Sequence, residues 1–148
     1  MENMFRGKTT KGEWVYGDLI HPSSNHVVGC CPSPIEDKFS FILTKCWVNG
    51  GRLGTNGVKW VLSETVGQNS GIKDKKGKYI YTGDFIKIPD DYKNYGLNAG
   101  EIYEVYFAYG GFRMKPKYRK EAKGFWLEDD GEFKIIGNKY DHPKILEE

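Results

Sequence analysis

Short runs in which the side chains alternate in character occur along much of the chain. In residues 38–48, Phe39, Phe41 and Leu43 alternate with a second set of side chains, and residues 101–109 alternate apolar with polar positions. A period of two is typical of a half-buried strand. No stretch has the period of a long amphipathic helix, so the pattern predicts a mainly β protein with little helix.

The remaining pattern predicts further strands, joined by glycine- and proline-containing turns. The strands are predicted at residues 13–20, interrupted at Gly17-Asp18, and at 27–28, 59–62, 78–88, 126–127 and 133–136. Turns are predicted at residues 21–24, 49–51, 110–111 and 130–131, and a loop at 52–57. Residues 65–68 have the spacing of a capping box and predict one helical turn, and residues 89–97 predict a loop or a helical turn.

One segment of the sequence occurs twice. Residues 8–20 recur as residues 73–86 with one residue inserted, and both copies contain a Lys-Gly turn and a later Gly-Asp pair. This pattern predicts an internal duplication that gives two related small β units. We expect an N-terminal subdomain at 1–64 and a C-terminal subdomain at 65–148. Units below about 70 to 80 residues rarely stand alone, so we expect the two to pack into one compact body.

The Gly-Asp pairs, Gly17-Asp18 and Gly83-Asp84, are interpreted as structural turns. An aspartate after glycine at a bend caps local backbone N–H groups, and a turn shared by both copies explains why it recurs. The alternative is that Asp18 and Asp84 form a general acid and base pair, which requires a separation of about 5 to 10 Å. The structural interpretation is favoured.

Composition places the chain among folded proteins without a membrane span. Apolar residues make up 39% of the sequence, aromatic residues 15%, and glycine contributes 19 positions. The N-terminus lacks the apolar core of a signal peptide, and no run approaches the roughly 20 apolar residues that cross a bilayer. We therefore expect a cytoplasmic protein. Its three cysteines are expected to be free thiols rather than disulfides.

Candidate metal ligands and nucleophiles are few and poorly spaced. The soft ligands are His21, His26, Cys30, Cys31 and Cys46. Their spacing does not match the paired ligands of zinc sites, and adjacent cysteines seldom bind one ion together. Cys30 or Cys31 with His26 is the least poor candidate for nucleophilic catalysis, but a third orienting group is not evident. We therefore predict no metal, no cofactor and no catalytic site.

Positive charge is concentrated in one segment, although the formal net charge of the chain is only +2. Between residues 112 and 124 there are six cations against one anion, interspersed with aromatic residues. Lysine and arginine neutralise phosphates, and exposed aromatic rings stack on unpaired bases. The candidate nucleic-acid contacts are Arg113, Lys115, Lys117, Tyr118, Arg119, Lys120 and Lys123. The alternative is a solvated charged loop with Phe125 and Trp126 turned into the core, and it is favoured.

Several ordered motifs resemble the YopX family of phage and prophage proteins. They are Phe5-Arg6-Gly7-Lys8 with Trp14-Val15-Tyr16-Gly17, Glu64-Thr65-Val66-Gly67-Gln68, Gly71-Ile72-Lys73-Asp74-Lys75-Lys76-Gly77-Lys78-Tyr79-Ile80-Tyr81, Gly83-Asp84-Phe85-Ile86, and Ile136-Gly137-Asn138-Lys139-Tyr140-Asp141-His142-Pro143-Lys144-Ile145-Leu146. The resemblance implies a phage-encoded protein of the bacterial cytoplasm with a Src-homology-3-like roll or barrel in its second half. It implies no known activity. The chain departs from the family pattern at Leu62-Ser63 and at Asn69-Ser70.

The combined expectation is a non-enzymatic accessory protein that acts as a binding module. A phage or host protein is the favoured partner, because small barrels bind extended peptides in aromatic grooves. Tyrosines that could line such a groove are Tyr81, Tyr92, Tyr95, Tyr103, Tyr106 and Tyr109. Nucleic-acid binding through residues 112–124 is the alternative, and a small hydrolase or metal-binding protein is a remote one. Exposed strand edges could also pair two copies into a homo-oligomer.

Overall fold

The computed structural model shows a mainly β chain, which confirms the predicted fold class. It describes residues 4–20, 38–44, 46–49, 52–55, 57–93, 96–118, 124–129 and 131–146, and for 46–49 and 52–55 the backbone alone. The chain divides into two units, Met1–Gln68 and Asn69–Glu148. The boundary predicted at residue 64, the packing into one body, the duplication and the Src-homology-3-like form of the second half stay predictions.

The strands of the first unit are β1 (Phe5–Lys8), β2 (Trp14–Ile20), β3 (Phe39–Leu43), β4 (Cys46–Asn49), β5 (Arg52–Thr55), β6 (Val58–Leu62) and the beginning of β7 (Gly67–Lys73). The unit is built around an antiparallel sheet with the strand order β6-β3-β2-β1, to which the first two residues of β7 are added. β4 and β5 form a separate hairpin. A single 3-10 turn, Ser63–Thr65, leads from β6 towards β7.

The inner face of the first sheet is closely packed around two glycines. Ile42 and Val61 are fully buried. A methyl group on Gly7 would lie 2.7 Å from Val61 Cγ2, and one on Gly17 would overlap the Leu43 carbonyl group. Since interiors are packed to crystal-like density, larger residues at Gly7 or Gly17 would force the strands apart.

The further strands of the second unit are β8 (Tyr79–Tyr81), β9 (Asp84–Lys87), β10 (Ile102–Ala108), β11 (Gly111–Pro116), β12 (Phe125–Trp126) and β13 (Lys134–Asn138), followed by the 3-10 turn Pro143–Leu146. Five of them form an antiparallel sheet in the order β12-β11-β10-β9-β13, while the rest of β7 pairs with β8. The pairing of β13 with β9 is irregular between Ile135 and Gly137. The core consists of Ile80, Ile86, Ile88, Tyr103, Val105, Met114, Leu127 and Phe133.

A tight turn joins β10 and β11. Ala108 pairs with Gly111, which leaves Tyr109 and Gly110 as the two loop residues. Both have positive φ angles, 53° and 78°, as a type I′ hairpin requires. The sequence predicted the end of this strand at Gly110-Gly111, one residue too late.

The repeated segments begin with matching turns. In the first, the N–H of Gly12 donates to Thr9 O and the N–H of Thr9 to Glu13 O. In the second, Gly77 donates to Asp74 O and Asp74 to Lys78 O. Gly12 and Gly77 have φ angles of +84° and +79°, which glycine adopts without steric strain. The Thr9 hydroxyl and the Asp74 carboxylate each accept a further backbone N–H, from Glu13 and Lys78.

The Gly-Asp pairs that follow have different structures. β2 runs without a break through Gly17 and Asp18, so the predicted interruption is wrong there. Gly17 pairs with Phe5, Asp18 pairs with Leu43, and Asp18 is exposed. In the second copy the chain turns at Thr82-Gly83 with a φ of +88° at Gly83. Asp84 is 1% exposed, and its Oδ2 accepts the N–H of Tyr81 at 2.9 Å.

Three other secondary-structure predictions are corrected. Residues 52–55 form β5 rather than a loop, because they complete a hairpin with β4. Residues 67–73 form β7 rather than a helical turn, since Gly67 and Gln68 pair with β1. The strand predicted over residues 38–48 is two strands, β3 and β4. The strand at 27–28 and the turn at 21–24 lie outside the described residues.

Candidate binding surfaces

The first unit has an apolar outer face formed by β2, β3 and β6. Ile20 pairs with Phe41, and Phe41 pairs with Trp60, so these three side chains form one row across three strands. A second row places Leu43 between Asp18 and Val58, so one exposed carboxylate borders the apolar residues. We call this surface the apolar face; it comprises Ile20, Phe39, Phe41, Leu43, Val58, Trp60 and Leu62.

The apolar face is accessible although its members touch each other. Trp60 is 45% exposed, Val58 42% and Ile20 39%. The Phe41 and Trp60 ring centroids are 4.3 Å apart, and Phe39 meets Trp60 edge to face at 6.1 Å. Adjacent apolar side chains in a row form a contiguous surface rather than scattered exposed residues, and contiguous exposed apolar patches mark interaction sites.

Alternation along β3 explains why the aromatic residues lie outside. Ser40 and Ile42 are buried, whereas Phe39, Phe41 and Leu43 are half-buried. The inner face accepts the smaller set because Gly7 and Gly17 bring the strands close together, and the Ser40 hydroxyl shares a hydrogen bond of 2.9 Å with Ser63. The apolar face was not predicted from the sequence. The alternation along β3 is visible there, but the sequence does not show the strand order that brings Ile20, Phe41 and Trp60 together.

The second unit has a face where cations and aromatic rings meet. On β11, Arg113 and Lys115 point away from the core side, where Met114 is buried. Arg113 pairs with Tyr106 on one side and with Trp126 on the other. We call this surface the cationic face; it comprises Glu104, Tyr106, Gly111, Arg113, Lys115 and Trp126.

Arg113 is held in place on the cationic face. Its guanidinium carbon lies 4.4 Å from the centroid of the Trp126 ring and 5.5 Å from that of Tyr109. Its Nη2 donates to the carbonyl oxygen of Gly124. A guanidinium over aromatic rings is attracted by their negative faces, so the side chain of Arg113 is held at a fixed position.

The lysines of this region have partners within the second unit. Lys115 Nζ lies 3.4 Å from Glu104 Oε2 and 5.3 Å from the Tyr106 ring centroid. Lys117 Nζ donates to Ile145 O at 2.9 Å and lies 4.5 Å from the Tyr118 ring centroid. Glu104 also meets Lys139 at 3.5 Å. The cations are therefore ordered, and one carboxylate offsets part of their charge.

The predicted site residues are thus only partly brought together. Arg113, Lys115 and Lys117 alternate along β11 and its continuation, and Tyr118 is 65% exposed. Arg119, Lys120 and Lys123 lie outside the described residues. The solvated-loop alternative is wrong for residues 111–116, which form β11. Phe125 and Trp126, which it placed in the core, are 37% and 53% exposed.

The predicted tyrosine groove is not a feature of the described residues. Tyr81 and Tyr103 are 6% and 1% exposed, and Tyr92 packs against the core. Tyr106 is half-buried, and Tyr109 is 88% exposed at the tip of the β10–β11 hairpin. Tyr95 lies outside the described residues. A buried ring fills a core position, so these tyrosines do not line one shared surface.

Most of the candidate metal ligands and nucleophiles lie outside the part of the chain that the structure describes. His21, His26, Cys30 and Cys31 lie outside the described residues, and Cys46 is described by its backbone alone. Within the described ranges, no group of three or more His, Cys, Asp or Glu side chains is arranged to hold a metal ion. Over the same ranges, no helix combines the length and apolar character required to cross a membrane.

The fold and its two surfaces define a mainly β protein with solvent-facing aromatic rows on its sheets. Residues 4–147 match the family described as YopX protein, so the chain belongs to the YopX family. Among solved structures, the chain is similar to "Crystal structure of protein EF1440 from Enterococcus faecalis", with a TM-score of 0.62, 19% identity and 99% of each chain covered. At that identity the likeness shows the fold alone. No curated protein matches the sequence.

Proposed function

We propose that this protein is a non-enzymatic binding module of a phage or prophage, acting in the bacterial cytoplasm on a protein partner. The observation that carries the proposal is the apolar face, where Ile20, Phe41 and Trp60 stand in one row and remain accessible. Membership of the YopX family supports the phage origin. Aromatic residues are enriched among the residues that contribute most to binding at protein interfaces, and Phe41 and Trp60 are neighbouring rings of this surface.

The physical character of the apolar face favours a protein over a nucleic acid at this site. Burial of apolar area is worth roughly 25 cal/mol per Å² and depends little on salt. Phosphate binding needs cations, and the row of Ile20, Phe41 and Trp60 has none. We therefore expect partner binding at this face that persists at high ionic strength.

The test compares wild type with Trp60→Glu as bait in extracts of phage-infected cells, followed by a binding titration with the purified partner. Loss of an aromatic anchor at an interface centre weakens binding by about 2 kcal/mol or more, or roughly 30-fold. Lys59→Ala, at the residue directly before Trp60 on β6, is the matched control and should bind as wild type does. A partner that binds Trp60→Glu and wild type equally would contradict the assignment to this face.

A second candidate function is nucleic-acid binding by the second unit. The observation in its favour is that Arg113, Lys115 and Trp126 share the cationic face, so charges and an aromatic ring are presented together. It ranks second because Lys115 is paired with Glu104 and Lys117 with a backbone carbonyl, which reduces the charge available to phosphates. Binding should fall with salt, by about 0.7 log units per log unit of salt for each phosphate of a single strand contacted.

A further inference from the structure

The indole of Trp126 lies against the backbone of the sheet because residue 111 is glycine. A methyl group built on Gly111 would collide with Cζ3 and would lie 3.3 Å from Cε3 and from Cη2. All three atoms belong to the six-membered ring of the indole. That ring therefore covers Gly111, and the side chain as a whole is 53% exposed. A ring that rests on a sheet turns a large part of its area to solvent.

The neighbouring ring is accommodated in a similar way. A methyl group on Gly124 would collide with the Tyr106 hydroxyl group and would lie 2.8 Å from Met114 O. Tyr106 thus reaches over β11 to Gly124, while Arg113 donates to the carbonyl of that same glycine. Gly111 and Gly124 thus make room for the rings of Trp126 and Tyr106. Arg113 lies on β11, between the strands β12 and β10 that carry the two rings.

We propose that this arrangement is a stacking site for unpaired bases of a single-stranded nucleic acid, with Trp126 as the platform. Base stacking needs an accessible ring, and phosphate contact needs a fixed cation within a nucleotide's length. Trp126 supplies the first and Arg113, 4.4 Å from the Trp126 ring, supplies the second. The proposal rests on the second candidate function and specifies its ligand as unpaired strand rather than duplex.

Charge and geometry both favour this occupant. Arg113, Lys115 and Lys139 outnumber Glu104 and Glu128, the second of which lines a cavity with Trp126, so this region attracts an anion. In a duplex the bases are stacked on each other and cannot lie on Trp126, whereas a single strand can turn a base out. Tyr109 is 88% exposed, and its ring centroid lies 5.5 Å from the guanidinium carbon of Arg113, so it offers a second ring beside this cation.

The experiment is a fluorescence-anisotropy titration of the full chain against labelled oligothymidylate and against an abasic strand of equal length. Both ligands have the same sugar–phosphate backbone, and only the first has bases. At about 50 mM salt we expect oligothymidylate to bind roughly tenfold or more tightly than the abasic strand, and both to weaken at about 200 mM. Trp126→Ala should reduce oligothymidylate binding to the abasic level.

Two further variants separate stacking from general disruption. Trp126→Phe keeps a smaller ring and should restore part of the preference for bases. Phe107→Ala removes a 51% exposed ring from the opposite face of the same sheet and should leave both affinities unchanged. Thermal unfolding of each variant checks that the fold is retained.

The outcomes separate this inference from the function on which it rests. Equal, salt-dependent binding of both strands would overturn base stacking and leave phosphate binding by the second unit in place. No binding of either strand at about 50 mM salt would overturn both. A preference for bases that Trp126→Ala does not alter would overturn the assignment to Trp126.

Discussion

The two repeated segments begin alike and then differ, and the difference lies in what surrounds them. The turns at residues 9–13 and 74–78 share two backbone hydrogen bonds and a left-handed glycine. The following glycines, Gly17 and Gly83, are needed for unrelated reasons. Gly17 sits within a strand where another backbone approaches it, whereas Gly83 has a positive φ in a turn. Similar sequence thus fixed the local turn, and tertiary contacts fixed the rest.

The aspartates extend the same comparison. Asp18 is exposed on β2, and Asp84 is buried and accepts the N–H of Tyr81. Asp74, in the second turn, also accepts the N–H groups of Lys76 and Lys78 at 2.9 Å and of Ile135 at 3.3 Å. Thr9, at the matching position, accepts one at 3.2 Å. A residue's position in a repeat therefore says little about its contribution to stability.

The largest expected effect is that of Gly17→Ala. The added methyl group would overlap the Leu43 carbonyl, and a backbone group cannot move aside without shifting β3. We expect a loss of about 3 kcal/mol in the free energy of unfolding, at the upper end of overpacking penalties. Urea denaturation would measure it. Gly12→Ala is the control: its left-handed φ of +84° should cost an alanine about 1 to 2 kcal/mol, and only the flexible end of Lys8 lies near the added methyl group, at 3.8 Å. Equal losses would contradict the close-approach explanation.

Asp84→Ala should rank next. It removes a buried acceptor and leaves the Tyr81 N–H without the carboxylate oxygen, a change worth about 2 kcal/mol. Asp18→Ala changes an exposed side chain in the matching copy and should stay within about 0.5 kcal/mol of wild type. The difference between the two unfolding free energies is the measured quantity. If Asp18→Ala were as destabilising as Asp84→Ala, the contrast between the copies would be wrong.

Gly83→Ala should have the smallest of the three effects, about 1 to 2 kcal/mol, because a left-handed φ strains an L residue. Gly77→Ala serves as the comparison, since its φ is similar and no atom lies within 4 Å of the added methyl group. At Gly83 the methyl group would also lie 3.1 Å from Tyr140 Cε2. Any excess loss at Gly83 over Gly77, measured by urea denaturation, reports that contact. Equal losses at the two positions would contradict the contact, because they would show that the Tyr140 ring moves aside at no measurable cost.

The sequence predicted those parts of the fold that depend on neighbouring residues. Alternation placed β10 to within one residue at each end, and the charged turns of both repeats were expected from Lys-Gly. It failed where partners are distant. The capping-box pattern at 65–68 predicted a helical turn, but Gln68 pairs with Phe5, more than 60 residues away, and sheet pairing prevailed over local preference.

The candidate surfaces show the same limit. Arg113, Lys115 and Lys117 were predicted as candidates from the local excess of positive charge. Their shared face was not predicted, because a loop was the favoured interpretation and alternate residues share a face only in a strand. The contact of the Trp126 ring with Gly111 was not predicted either, because it depends on the register between β11 and β12. The apolar face was missed for a related reason: its row requires Ile20, Phe41 and Trp60 to meet across three strands whose order the sequence does not state.

The position of β9 has a consequence for synthesis of the protein on the ribosome. β9 pairs with β10 on one side and with β13 on the other, where Lys87 meets Lys134 and Asp84 meets Asn138. About 50 residues must be translated after β9 before its second edge is covered, which takes roughly 3 to 10 s at bacterial and eukaryotic elongation rates. During that interval the nascent chain carries an open strand edge, the feature that recruits other strands into aggregates. Slower translation before residue 134 would lengthen this exposure.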